Sequence, residues 1–235
     1  MPNSYFQFKQ FTVQQDKCAM KVCTDACLFG AMLPLEVQHK VLDIGTGTGL
    51  LSLMYAQKNS AAIIDAVEID GNAAIQAKEN FEASPWADRL NIFNADVLNF
   101  KPGKEYDLII SNPPFFEDDL RSPDGSKNNA KHDTSLGLVK LLEIVEIHLA
   151  KEGLFAVLLP YHRVNYFIER ANSSGLYLTQ QILARQTTKH DHFRGILFFK
   201  RTKAPQQNAE ITIKDSEGNY TTEFIAKLKD YYLHL

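Results

Sequence analysis

The chain has no apolar run long enough to span a bilayer, no excess of either charge, and only three cysteines among its 235 residues. Each shortage excludes something. Without about 20 consecutive apolar residues, no helix can cross a hydrocarbon core. The opening Met1-Pro2-Asn3-Ser4 lacks the basic-then-apolar pattern of a secretory leader, so a cytoplasmic location is the expectation. A net charge of -3 gives no global pull on a polyanion, and any nucleic acid must be held by a local patch. Cys18, Cys23 and Cys27 stand as C-x4-C-x3-C with no fourth cysteine and with the histidines far away in sequence. That spacing fits neither zinc nor iron–sulfur sites, so no metal is expected and the thiols read as small packing residues. Internal repeats, low-complexity segments and a convincing second domain are also missing, and residues 1–235 read as one domain.

What the chain does have is organised around Asp107-Leu108-Ile109-Ile110-Ser111-Asn112-Pro113-Pro114-Phe115-Phe116. Leu108 to Ile110 read as a short strand buried on both faces. Proline cannot continue a sheet ladder and holds the preceding residue extended, which leaves Asn112 at a strand end with its side chain free to face a cleft. Neither proline has an N–H, so the backbone there offers acceptors without competing donors. An amide oxygen beside a carbonyl suits an –NH2 group, and Phe115 adds a flat face for a ring. The same tetrapeptide could be a stiff turn capping a sheet, and the rest of the chain decides between the two.

Val41-Leu42-Asp43-Ile44 is a buried strand running into Gly45-Thr46-Gly47-Thr48-Gly49 and then a helical pattern, the βα unit of nucleotide-handling folds. The glycines let backbone approach a ligand, and Asp43 can reach it from the strand end. A second strand, Ile63 to Glu68, ends in an acid about twenty residues on, placed to accept from two ribose hydroxyls. A dinucleotide site prefers G-x-G-x-x-G. Here Leu50 breaks that pattern, and G-x-G-x-G with a preceding Asp favours S-adenosylmethionine.

Helix and strand then alternate: helix about 71–83, strand 90–93, strand 106–111, helix 136–150, strand 154–159, helix 164–172. This is an α/β chain with a mostly parallel sheet and helices on both faces. Tyr177 to Leu183 and Gly195 to Lys200 read as a final antiparallel pair. Asp43, Glu68, Asp96 and Asn112 all fall at carboxyl ends of successive strands, the edge where open α/β sheets bind ligands, and Asp96 could accept from an adenine amino group. The polar segment 117–134 is too long for a turn and reads either as a substrate lid or as a passive loop. A helix is expected from Thr24 to about Leu33, capped by Thr24 or Asp25 and closed by Pro34, and helical spacing returns from Phe224 to Leu235.

Two stretches bear on nucleic acid. Near the N-terminus Tyr5, Phe6, Phe8 and Phe11 interleave with Lys9, Lys17 and Lys21. They either pack as a hairpin, the simpler reading, or present rings and cations to RNA. Between Arg185 and Lys203 lies the densest basic cluster, including Lys189 and Arg194, a phosphate-binding face or an ordinary solvated one.

With these residues in hand, the chain resembles the methyltransferases of class I that modify exocyclic or amide nitrogens. More specifically, Phe8-Lys9-Gln10-Phe11, Asp16 to Val22, Thr24-Asp25-Ala26, Ser84-Pro85-Trp86-Ala87 and Ile109 to Pro114 resemble the bacterial tRNA(Val) adenine-37 N6-methyltransferase family over nearly the whole chain. The resemblance implies a Rossmann-like seven-stranded sheet with its last strand reversed. It implies S-adenosylmethionine as cofactor, held by Thr24, Asp25, Asp43, Gly45, Gly47, Gly49, Glu68, Ile69, Asp96 and Val97. Catalysis is implied at Asn112, Pro113, Pro114 and Phe115, with a valine tRNA as partner; the two basic stretches offer Lys9, Lys17, Lys21, Lys189 and Arg194 as its candidate contacts. Cys23 stands where the family has glycine, and Phe115 where tyrosine is common.

Overall fold

A computed structural model describes residues 3–18, 20–35, 39–114 and 137–235. Phe115 and the 117–134 segment lie outside the described residues.

The chain opens with a small hairpin, β1 (Tyr5–Gln7) and β2 (Thr12–Gln14), followed by α1 (Thr24–Met32). Then come β3 (Lys40–Ile44), α2 (Leu50–Lys58), β4 (Ile63–Glu68), α3 (Gly71–Glu82), β5 (Leu90–Asn94) and β6 (Tyr106–Ser111). The second half runs α4 (Leu138–His148), β7 (Leu149–Pro160), α5 (Val164–Ser173), β8 (Tyr177–Arg185), β9 (His192–Lys200), β10 (Gln207–Thr212) and α6 (Thr222–Leu228). The main sheet has the order β10-β8-β9-β7-β6-β3-β4-β5. From β5 to β7 every pairing is parallel, and β9 inserts antiparallel between β7 and β8.

The central strands read as unbroken apolar runs because both of their faces are covered. Along β3 and β6, Val41, Leu108 and Ile110 enter the cluster built with α1, α2, α3, α6 and the hairpin. Their neighbours Leu42, Ile44 and Ile109 enter the opposite cluster with α4 and α5. Each such side chain contributes about 1.5–3 kcal/mol when fully buried, so strand register is strongly specified.

The expected arrangement is present, and the sheet adds an eighth strand, β10, parallel to the outer side of β8. Its sequence Gln-Asn-Ala-Glu-Ile-Thr gave no strand signal because only Ile211 is buried and the rest face outward. The helix expected to reach Ala150 stops at His148, where β7 begins, and the C-terminal helix stops at Leu228. Thr24 and Asp25 do not cap α1. Cys23 occupies the cap position with no side-chain capping bond, and Asp25 is turned instead toward Arg194.

The hairpin packs as core. Phe8 is 1% exposed, and Phe11 meets the edge of Trp86 at 5.7 Å between ring centroids. Backbone contacts join it to the far end of the chain: Lys9 N donates to Tyr231 O at 2.8 Å, and Phe8 forms a bridge with Tyr232.

Candidate active site

Register brings the carboxyl ends of β3, β4, β5 and β6 to one edge. Ile44 pairs with Val67 and with Ser111, and Glu68 pairs with Asn94. The Ser111 hydroxyl donates to Ile44 O at 3.0 Å and fixes the end of β6 against the start of the glycine loop.

Gly45, Gly47 and Gly49 all have positive φ, the backbone region that costs an L side chain most. At Gly49 (φ 83°) space forbids a side chain as well, since a Cβ would lie 2.4 Å from Phe81 Cε1. At Gly45 nothing lies within 4 Å of that position, so the loop presents bare backbone to an open cleft. Glu68 sets the loop: its Oε2 accepts from Gly47 N at 2.8 Å and its Oε1 from Asp70 N at 2.9 Å. Each oxygen keeps lone-pair capacity for a ligand hydroxyl.

Asp43 is fully buried beneath the loop and does not open onto the cleft as its strand-end position suggested. Its Oδ2 accepts from the hydroxyls of Thr46 at 2.6 Å and Ser52 at 2.7 Å, while Oδ1 has no partner among the described residues. Burial pushes the carboxyl up to about 6; the two hydroxyls oppose this and the Glu68 charge adds to it. Thr46 and Ser52 were not singled out from sequence, although their hydroxyls are spaced to meet one carboxylate after a helix start.

Past Glu68, Ile69 is apolar yet 60% exposed, a flat surface at the ligand edge. Asp96 caps a short 3-10 turn by accepting from Leu98 N at 2.9 Å, and Val97 beside it is buried. At the end of β6, the Asn112 Oδ1 is buried with no hydrogen-bond partner among the described residues, and Pro113 beside it is buried. A buried acceptor left without a donor is costly and uncommon. It is chemically a socket for an N–H.

Of the cations singled out from sequence, most are already engaged. Arg194 Nε donates to Asp25 Oδ2 at 2.7 Å, joining the start of β9 to α1. Lys17 pairs with Glu79, Lys9 donates to Lys229 O, and Lys21 donates to Gln15 O at 3.0 Å. Arg185 and His192 both face Glu210, at 3.4 and 3.5 Å. Arg185, His192 and Arg194 are thus turned to acidic partners, while Lys189 and Lys203 are exposed. Cys27 is buried as packing, Cys18 is half-buried and Cys23 exposed, and all three are free thiols. Among the described residues no cluster of three metal-binding side chains occurs, and no helix is long and apolar enough to cross a membrane.

Two buried amides also escaped sequence reading. Gln76 and Asn80 lie one turn apart on α3, on the same stripe as Ala73 and Ala77. Polar residues breaking an apolar stripe at i, i+4 were the available signal.

The methyltransferase small domain family matches residues 18–126. A tRNA1(Val) (adenine(37)-N6)-methyltransferase of Dyadobacter fermentans is 44% identical over 98% of this chain and 98% of its own. The protein of the same name from Pectobacterium carotovorum is 41% identical, covering 98% of this chain and 94% of its own. Among solved structures, a predicted O-methyltransferase of Agrobacterium tumefaciens superposes with a TM-score of 0.67 at 16% identity, over 88% of this chain and 95% of that one. The ribosomal protein L11 methylase of Lactobacillus delbrueckii gives 0.55 at 15% identity, over 76% and 77%. At such identities the structures speak for the fold, a Rossmann-like methyltransferase sheet. The sequence relatives speak for more: the chain belongs to the tRNA1(Val) (adenine(37)-N6)-methyltransferase family.

Proposed function

We propose that this chain transfers a methyl group from S-adenosylmethionine to N6 of adenine 37 in the anticodon loop of a valine tRNA, with residues 1–235 acting as one catalytic domain. The observation that carries this reading is the Asn112 Oδ1, a buried acceptor with no donor among the described residues at the end of β6, beside a proline that offers none. The cofactor fits the residues present. Bare backbone at Gly45, spare acceptor capacity on Glu68 and the exposed face of Ile69 supply a close approach, a ribose partner and an apolar contact. Asp96 and Val97 stand at the next strand end for the adenine edge, and Thr24 and Asp25 at the start of α1 are the further contacts that the family resemblance assigns.

S-adenosylmethionine supplies a methyl group already activated by the sulfonium charge. The work left to the protein is placement of the amine. An adenine amino nitrogen is a poor nucleophile because its lone pair is delocalised into the ring. Accepting its two N–H bonds at Asn112 Oδ1 and at the Pro113 carbonyl favours a pyramidal, more nucleophilic nitrogen, while Pro114 and Phe115 hold the ring. The proton leaves after the nitrogen has become cationic, so no strong base is required beforehand. Adenine must be unstacked to enter, which costs less in an anticodon loop than in a duplex. Lys189 is an outward cation for phosphate, with Lys9, Lys17 and Lys21 on the hairpin side.

The test is transfer of labelled methyl from S-adenosylmethionine to unmodified total tRNA, followed by nucleoside mass spectrometry. N6-methyladenosine mapped to the anticodon loop of one valine tRNA is the expected result. Label only in protein, ribosomal RNA or DNA would move the substrate while keeping the chemistry, and no transfer to any polymer would refute the enzymatic reading.

A further inference from the structure

The glycine loop is held from behind by a side chain with no part in the site so far. Asn80, 1% exposed on α3, makes three hydrogen bonds. Its Oδ1 accepts from Gln14 N at 2.8 Å, and its Nδ2 donates both to Gln14 O at 2.9 Å and to Thr48 O at 2.8 Å. The first two reproduce one rung of a β-ladder, a side-chain amide standing in for a neighbouring strand against the last residue of β2. The third grips the loop between Gly47 and Gly49. One turn earlier, the buried Gln76 accepts from Lys17 N at 2.9 Å through Oε1. These amides lay the chain from Gln14 to Cys18 along α3, and Cys18 Sγ comes within 3.9 Å of the point where a Cβ on Gly47 would stand.

We propose that Asn80 is a positioning residue that couples the N-terminal hairpin to the cofactor loop, so that cofactor binding fastens the hairpin and a loose hairpin weakens cofactor binding. The proposal rests on the reading of this loop as the S-adenosylmethionine site. Its physical basis is that Thr48 O and both backbone groups of Gln14 share one amide. Ordering the loop therefore orders the strand, and by linkage each side stabilises the other equally. Trp86, the single tryptophan of the chain, touches Phe11 of the hairpin and reports on it by fluorescence.

The experiment uses S-adenosylhomocysteine as probe on the full chain. In the wild type, hydrogen exchange of the amides of residues 5–18 should slow on binding along with those of the glycine loop, and Trp86 emission should shift with the same saturation curve. Binding that protects the loop but leaves residues 5–18 unchanged overturns the coupling. No heat and no protection anywhere at millimolar probe would instead remove the cofactor reading itself. Asn80→Ala should raise the dissociation constant of the probe and KM for S-adenosylmethionine together by about tenfold, the size of one well-made hydrogen bond. Its kcat at saturating cofactor and RNA should stay within about twofold. A folded Asn80→Ala with unchanged affinity, or with lowered kcat at unchanged affinity, overturns the proposal. If that variant does not fold, the exchange result on the wild type decides alone.

Discussion

Replacing Asn112 by alanine should separate stability from activity. The Oδ1 of this residue is buried without a donor among the described residues, and an unsatisfied buried acceptor costs about 1–3 kcal/mol. Alanine removes that penalty together with the packing of a small amide. The two effects oppose each other, so the change in stability should stay within about 1 kcal/mol, below the ~2–5 kcal/mol typical of large-to-small core changes. Turnover should respond very differently. A hydrogen bond that strengthens as the adenine nitrogen acquires positive charge acts on the transition state, and losing one positioned partner of that kind costs about 10²–10³ in rate. Single-turnover methyl transfer at saturating cofactor and RNA measures the rate, urea denaturation the stability, and calorimetry with S-adenosylhomocysteine the cofactor affinity, which should hold. Near wild-type turnover in a folded Asn112→Ala protein would refute the amine-gripping role. A large loss of stability would refute the claim that the acceptor is strained by lack of a partner.

Asp43 makes stability depend on pH. Its carboxyl rises from 3.8 to about 6 in the folded protein, so between those values the native state binds the extra proton and stability falls as pH rises. Above pH 6 a penalty on the order of 2–3 kcal/mol is fully present; Asp43→Asn should flatten urea midpoints between pH 4 and 6, and an unchanged slope would sink the assignment. The glycines divide by mechanism. Gly49→Ala, with positive φ and a contact of 2.4 Å to Phe81, should lower stability by several kcal/mol, whereas Gly45→Ala should cost about 1–2 kcal/mol in melting experiments yet abolish cofactor binding. Comparable melting of the two variants would contradict the geometry. Lys189→Ala should reduce the salt slope of RNA binding by about 1, while Arg194→Ala, which strands the nearly buried Asp25, should lower stability by about 1–3 kcal/mol. The reverse pattern would place the phosphate on Arg194.

The strand ends and glycine loop were legible because each combines a short apolar run with a residue that marks its end: Gly45 after β3, Glu68 closing β4, Pro113 after β6. Those signals are local and depend on backbone geometry. What stayed hidden depends on partners distant in sequence. The basic stretch around Arg185 and Arg194 looks outward on paper, and only folding brings Glu210 and Asp25 to it. Asp43 reads as a ligand contact because its strand-end position is the stronger signal, and the inward turn of the Thr46 and Ser52 hydroxyls that claim it is settled only by the folded loop. Strand β10 hides for the opposite reason: it lies at the sheet edge, buries little, and so carries no periodicity to read.

The contact of the hairpin with Tyr231 and Tyr232 has a consequence for synthesis. Lys9 and its partner Lys229 stand 220 positions apart, so the hairpin leaves the ribosome well before the residues it pairs with are added. At about 5–20 residues per second that interval is roughly 10–40 s. For that time Phe8 lacks the cover of Tyr232, and the nascent chain carries an oily ribbon that a chaperone or another emerging copy can reach before Tyr232 does.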